Sequence, residues 1–173
     1  VGDHCLEDYG DIRFTNSTGA ELAYYLWPDY DSSSAKFCVR LEGADEAGTL
    51  TVWYGNSTAA TTSDGDATYL LFDHFEGNSL NTEKWIVDYG SVTVSGSMVK
   101  MPLSGVGTIR SKSSFTTALV ESRWHRMAGS TVSEVDTIVR AVDATHYYQA
   151  FADLSTYKQV VYRRVASTYT VVS

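Results

Sequence analysis

Glu134 and Asp136, two residues apart in SEVDTI, are a pair whose type and spacing could do catalysis. Residues i and i+2 of a strand point to one side, so both carboxyls would face a common cleft. Retaining glycoside hydrolysis uses two carboxyls about 5 Å apart, one as nucleophile and one as acid/base. A second chemistry is sugar recognition, in which aromatic faces combine with charged or amide groups that satisfy hydroxyls. Trp124, Arg126, Tyr148, Tyr162 and Arg164 supply those groups, against a plainer reading in which most of the 12 Tyr pack the core or cap its edges. A third is cation binding. Asp64, Asp66 and Asp73 offer hard oxygen ligands around a glycine turn and would suit calcium, whereas the competing reading is a turn in which Asp64 bonds its own backbone. His4, His74, His125 and His146 are scattered singly, without the paired spacing of a metal site. Asn16-Ser17-Thr18 and Asn56-Ser57-Thr58 both satisfy the N-glycosylation sequon, each after a predicted strand where a loop is expected.

The elements that must position these residues read as strands. Residues 11–15 (DIRFT), 21–27 (ELAYYLW), 35–41 (AKFCVRL) and 50–54 (LTVWY) form a first series, separated by Gly-, Asp- and Ser-rich turns. In the third of these, Phe37, Val39 and Leu41 alternate with Lys36, Cys38 and Arg40, the mark of a half-buried strand. Beyond Trp85 short strands are expected at 91–94, 98–102 and 107–111. A longer one follows within 115–127, where Trp124 and Arg126 share a face, then others at 133–142, 146–153, 158–165 and 169–172. Regular turns between β-branched and aromatic runs, with no sustained helical period, predict an all-β chain built as a sandwich or barrel.

At 173 residues the chain can form one domain or two small ones. The net charge of −8 is concentrated at one end: residues 1–72 hold twelve acidic against three basic residues. Such a surface repels phosphate, which argues against a nucleic-acid partner. No apolar run approaches the ~18 residues that span a bilayer. Val1 leads without a signal-peptide pattern, which reads as a mature or excised piece of a longer product. Cys5 and Cys38 match no zinc or redox spacing. They form either one disulfide or two separate core thiols; the extracellular cast of the rest favours the disulfide, which would contribute ~3 kcal/mol.

The blocks GDIRFTNSTGAELAYYL, AKFCVRL and LTVWYGNSTAATTSDGDATYLLFDHFEG, in that order over residues 3 to about 76, resemble domain-of-unknown-function family 2341. The departure is Cys38, where the family's pattern has an aromatic or aliphatic residue. From Phe72, FDHFEGNSLNTEKW is similar to the opening of concanavalin-like (laminin-G-like) sandwiches, and YYQAFADLSTYKQVVYRRVASTYTVVS to a middle hairpin of that fold. The resemblance implies a surface-exposed module of large extracellular proteins that work in adhesion, polysaccharide contact or envelope scaffolding. It also implies tests for the candidates above. Glucanases of this fold carry Glu-x-Asp-x-Glu on one strand, and Ile138 stands where the last Glu would be. Related sandwiches hold a metal near this opening, where His74 replaces an acidic ligand.

The expectation is therefore an all-β protein: a small N-terminal β unit over 1–68 and a partial antiparallel, concanavalin-like jelly-roll sandwich over 69–173. Its expected role is a non-catalytic, extracellular or cell-surface glycoprotein that binds polysaccharide or neighbouring surface proteins, without cofactor apart from calcium if the aspartates hold one. The alternatives are a self-associating subunit of a fibre or sheath completed by strand exchange and, disfavoured by Ile138, a glycoside hydrolase.

Overall fold

The computed structural model describes residues 4–43, 45, 48–101, 106–116, 119–122, 134–143, 146–153 and 158–172. The regular elements among the described residues are strands apart from a single helical turn, so the chain is all-β. It divides into two units, Val1–His74 and Phe75–Ser173.

In the first unit the apolar alternation of DIRFT drives Ile12 and Phe14 into a core, and strand β1 (Arg13–Thr15) pairs antiparallel with β4 (Thr51–Trp53). On its other side β1 meets the returning chain, through a Thr15–Glu21 bridge and the Leu22 amide donating to the Phe14 carbonyl at 2.8 Å. That chain continues as β2 (Tyr24–Leu26), which forms a hairpin with β3 (Phe37–Val39). The core is aromatic. Tyr9, Ile12, Phe14 and Tyr24 are buried, and Leu22, Leu26, Phe37 and Val39 pack against them. Phe14 meets the rings of Tyr24 and Phe37 edge-on, at 5.3 and 5.4 Å, and such pairs add about 0.5–1.5 kcal/mol beyond the area they bury. The connection after Pro28 is stiffened by Asp31, whose carboxylate takes the Ser33 hydroxyl and the amides of Ser33 and Ser34; these hydrogen bonds hold it down to about 2.

A second aromatic layer covers the back of the β2–β3 hairpin. Asp64 caps a single helical turn, α1 (Gly65–Thr68), by accepting from the Ala67 amide at 3.0 Å. The apolar run that follows forms no strand. Tyr69 and Phe72 instead stack nearly parallel, 5.6 Å apart, and with His74 they pack on Tyr25. This packing is why the run belongs to the first unit.

The two cysteines do not form the expected disulfide; both are free thiols. The pleat of the hairpin explains it. Phe37 and Val39 face the core, as their alternation predicted, and Cys5 packs on that core. Cys38, between them, points to the opposite side, where its Sγ accepts from the Trp27 indole at 3.3 Å. Burial, then the charge of Asp11, pushes the Cys5 thiol up, which favours its protonated form.

The second unit opens with β5 (Trp85–Tyr89). Its Trp-Ile-Val-Asp-Tyr run has strong strand propensity, although no strand was expected there. It pairs with β8 (Thr108–Ser111), and β6 (Thr93–Val94) forms a hairpin with β7 (Val99–Lys100). The larger sheet is an antiparallel meander of β9 (Glu134–Asp143), β10 (His146–Asp153), β11 (Lys158–Val165) and β12 (Thr168–Val171), in the order β12-β11-β10-β9. The described residues within 115–127 are not in a strand, and Trp124 and Arg126 lie outside the described residues.

Candidate functional site

Register decides which of the expected sugar-contact residues meet. Tyr162 pairs with Gln149, Arg164 with Tyr147 on β10 and with Tyr169 on β12, and Tyr148 with Arg163. Opposed residues share a face of the sheet, so Tyr162 and Arg164 stand together with Tyr147, Gln149 and Tyr169. Tyr148 is on the other face. Arg164 donates to the Tyr147 hydroxyl at 2.8 Å and to the Ala166 carbonyl at 3.0 Å, and its guanidinium lies over the rings of Tyr147 and Tyr169 at 5.4 and 5.2 Å. The Tyr147 and Tyr169 hydroxyls are 3.3 Å apart. Arg164, Tyr147 and Tyr169 thus engage one another and Tyr147 is buried, so these three side chains brace three strands. On β9, the backbone register pairs Glu134 with Asp153, Asp136 with Phe151 and Ile138 with Gln149.

Of the aspartates proposed for calcium, Asp64 spends a side-chain oxygen on the helix cap. His74 is held by the Tyr25 hydroxyl, 2.6 Å from its Nε2. Among the described residues no group of three or more His, Cys, Asp or Glu side chains could hold a metal ion. Asn16 and Asn56 both lie in turns after strands, where an acceptor has to sit.

An exposed aromatic platform lies on the first unit and was not among the residues singled out from sequence. Trp53 is 57 % exposed, yet its ring is fixed, since Nε1 donates to the Thr15 hydroxyl at 3.0 Å. Because β4 pairs Trp53 with Arg13 and Thr51 with Thr15, and Thr15 bridges to Glu21, the indole borders a cross-strand row of Thr51, Thr15 and Glu21. Opposed strand residues lie about 5 Å apart, a spacing at which successive hydroxyls of a sugar ring can be met. Arg13 anchors the row: its Nη1 donates to the carbonyls of Gly10 and Ile12, its Nη2 to that of Ala60, and its Nε is 3.5 Å from Glu21. Glu21 keeps a side chain more than half exposed. The signal was present in sequence. Ile12 and Phe14 alternate inward, so Arg13 and Thr15 point outward, and the strand register then carries Trp53 to the same side.

Asp11 holds this platform in place. It is 3 % exposed, and its carboxylate accepts from the Leu6 amide at 2.9 Å and the Gly55 amide at 2.6 Å, tying the N-terminal segment to the exit of β4. Gly55 has φ +96°, a conformation that favours glycine. Burial raises the Asp11 carboxyl, but the backbone amides and the charge of Arg13 outweigh it and hold the group below its ordinary value.

Residues 8–88 match the family model described as Domain of unknown function (DUF2341), which supports the resemblance of the first part of the chain. No curated protein and no solved structure matches.

Proposed function

We propose that the protein is a non-catalytic, extracellular interaction module that contacts surface glycans through the Trp53 face. In this reading Phe75–Ser173 is part of a concanavalin-like sandwich that presents the first unit at a cell surface. The observation that carries it is an exposed indole whose ring is already fixed by Thr15 and which borders hydroxyl and carboxylate groups at strand spacing. A fixed ring loses little freedom on binding, so stacking on a sugar face is not offset by ordering entropy. The test is a glycan-array screen of the full chain, followed by calorimetric titration of the best ligand. Trp53→Ala is expected to weaken binding roughly tenfold, the equivalent of ~1.4 kcal/mol. Because the ring is mostly solvent-exposed, the same change should alter stability by less than about 1 kcal/mol. Unchanged affinity in Trp53→Ala, or no glycan bound, rejects the reading. Release of reducing sugar from a β-glucan, lost on Glu134→Gln, would instead establish a hydrolase.

A second reading, a fibre or sheath subunit completed by strand exchange, is favoured by the edge of the larger sheet. All four residues of the outer strand β12 are exposed, Tyr169 and Val171 among them, and such an edge is a template for a further strand. Light scattering separates the two. Ordered oligomers that dissociate on Val171→Lys support strand exchange, and a concentration-independent monomer removes it.

A further inference from the structure

The two sequons differ in one atom's surroundings, and that difference carries an assignment beyond glycan contact. Their turns are alike. In each, the asparagine Oδ1 accepts from the amide and the hydroxyl of the threonine two residues on: 3.1 and 2.7 Å for Asn16 with Thr18, and 3.1 and 2.9 Å for Asn56 with Thr58. Because Oδ1 faces these donors, the orientation of each amide is fixed and Nδ2 points away from the turn. In Asn16, which is half-buried and whose Oδ1 also accepts from the Ala20 amide, Nδ2 donates to the Asp45 carboxylate at 2.9 Å. Asn56 is exposed, and among the described residues its Nδ2 has no such partner. Its backbone is held at Gly55 by Asp11 and through the Ala59 amide, which donates to the Asn56 carbonyl at 3.1 Å.

We infer that Asn56 is the N-glycan acceptor of the folded chain and that Asp45 masks Asn16. In the transfer, Asn56 Nδ2 forms a bond to the anomeric carbon of an oligosaccharide carried on a polyprenyl diphosphate. The sugar–phosphate C–O bond breaks, the diphosphate leaves with the electron pair, and the amide proton passes to a carboxylate of the oligosaccharyl transferase. The Thr58 hydroxyl already engages the Asn56 side chain, so the acceptor turn need not rearrange. At Asn16 the same approach must first break a hydrogen bond to a charged oxygen.

The experiment uses the folded, full chain with a single-subunit oligosaccharyl transferase that requires only the Asn-x-Ser/Thr triplet and its polyprenyl-diphosphate oligosaccharide, with each site's occupancy followed over time by peptide mass spectrometry. Transfer to Asn56 is expected, with Asn16 roughly tenfold slower, the factor that one hydrogen bond to a charged group implies. Thr58→Ala should abolish modification at Asn56, and Asp45→Ala should bring Asn16 towards the Asn56 rate. No transfer to Asn56, equal rates at the two sites, or an Asn16 rate indifferent to Asp45→Ala overturns the assignment.

Discussion

Asp11→Ala is expected to lower the stability of the first unit by about 3 kcal/mol, since two hydrogen bonds to a charged group are lost and each contributes roughly 1.5–3 kcal/mol. Two backbone amides, those of Leu6 and Gly55, lose their acceptor when this carboxylate, itself only 3 % exposed, is removed; both hydrogen bonds are part-buried. A chemical denaturation midpoint measures the loss, and an unchanged midpoint would mean that the two amides find water in the native state. The same carboxylate sets an acid limit. Its folded pKa is depressed, so its stabilisation is complete above the ordinary carboxylate value near 3.9 and is lost as pH falls from there through the lowered folded value. Stability should therefore decline below about pH 4. Asp11→Asn, which cannot ionise, should be less stable at neutral pH and flatter on that acid limb. Asp31, down at about 2, acts in the same direction, so some acid dependence should survive in the variant.

Gly65→Ala is expected to cost about 3 kcal/mol, the upper part of the range for overpacking a core. Helix propensity argues for the opposite sign, because alanine gains about 1 kcal/mol over glycine within a helix. The close approach decides. A Cβ on Gly65 would lie 2.1 Å from Cε1 of Phe72 and 2.4 Å from its Cζ. Phe72 has no room to withdraw, with Tyr25 centred 4.7 Å away, the His74 ring at 4.5 Å and Tyr69 stacked at 5.6 Å. Paired with Phe72→Leu, the substitution should be less harmful than the two single effects summed, the non-additivity expected of residues in contact. A Gly65→Ala chain as stable as the parent would show that the aromatic layer behind β2 is loosely packed.

The strands themselves were legible in sequence. Bounds expected at 146–153 and 158–165 coincide with β10 and β11, because alternation over eight residues leaves little choice of period. The inward set of Phe37 and Val39 was legible for the same reason. Residues 72–75 were harder. Phe72 was expected to open the second unit, but it packs on Tyr25 with Tyr69 stacked against it, behind the Asp64-capped turn, while Leu70 is exposed. Among the site residues, Tyr162 and Arg164 share a face of the sheet, Tyr148 is on the opposite face, and Tyr147 and Tyr169 are the neighbours of Arg164.

What the sequence by itself determined is therefore local: an all-β chain, the side of each strand that turns inward, two sequons in turns and the character of the first seventy-odd residues. Tertiary structure alone decided which strands face one another and in what register. That choice separates Cys5 from Cys38, sets Trp53 beside Thr15 and places Asp45 against the Nδ2 of Asn16. The physical reason is that side-chain direction repeats every two residues along a strand, whereas pairing joins residues tens of positions apart, and a shift of one residue in that pairing moves every side chain to the other face.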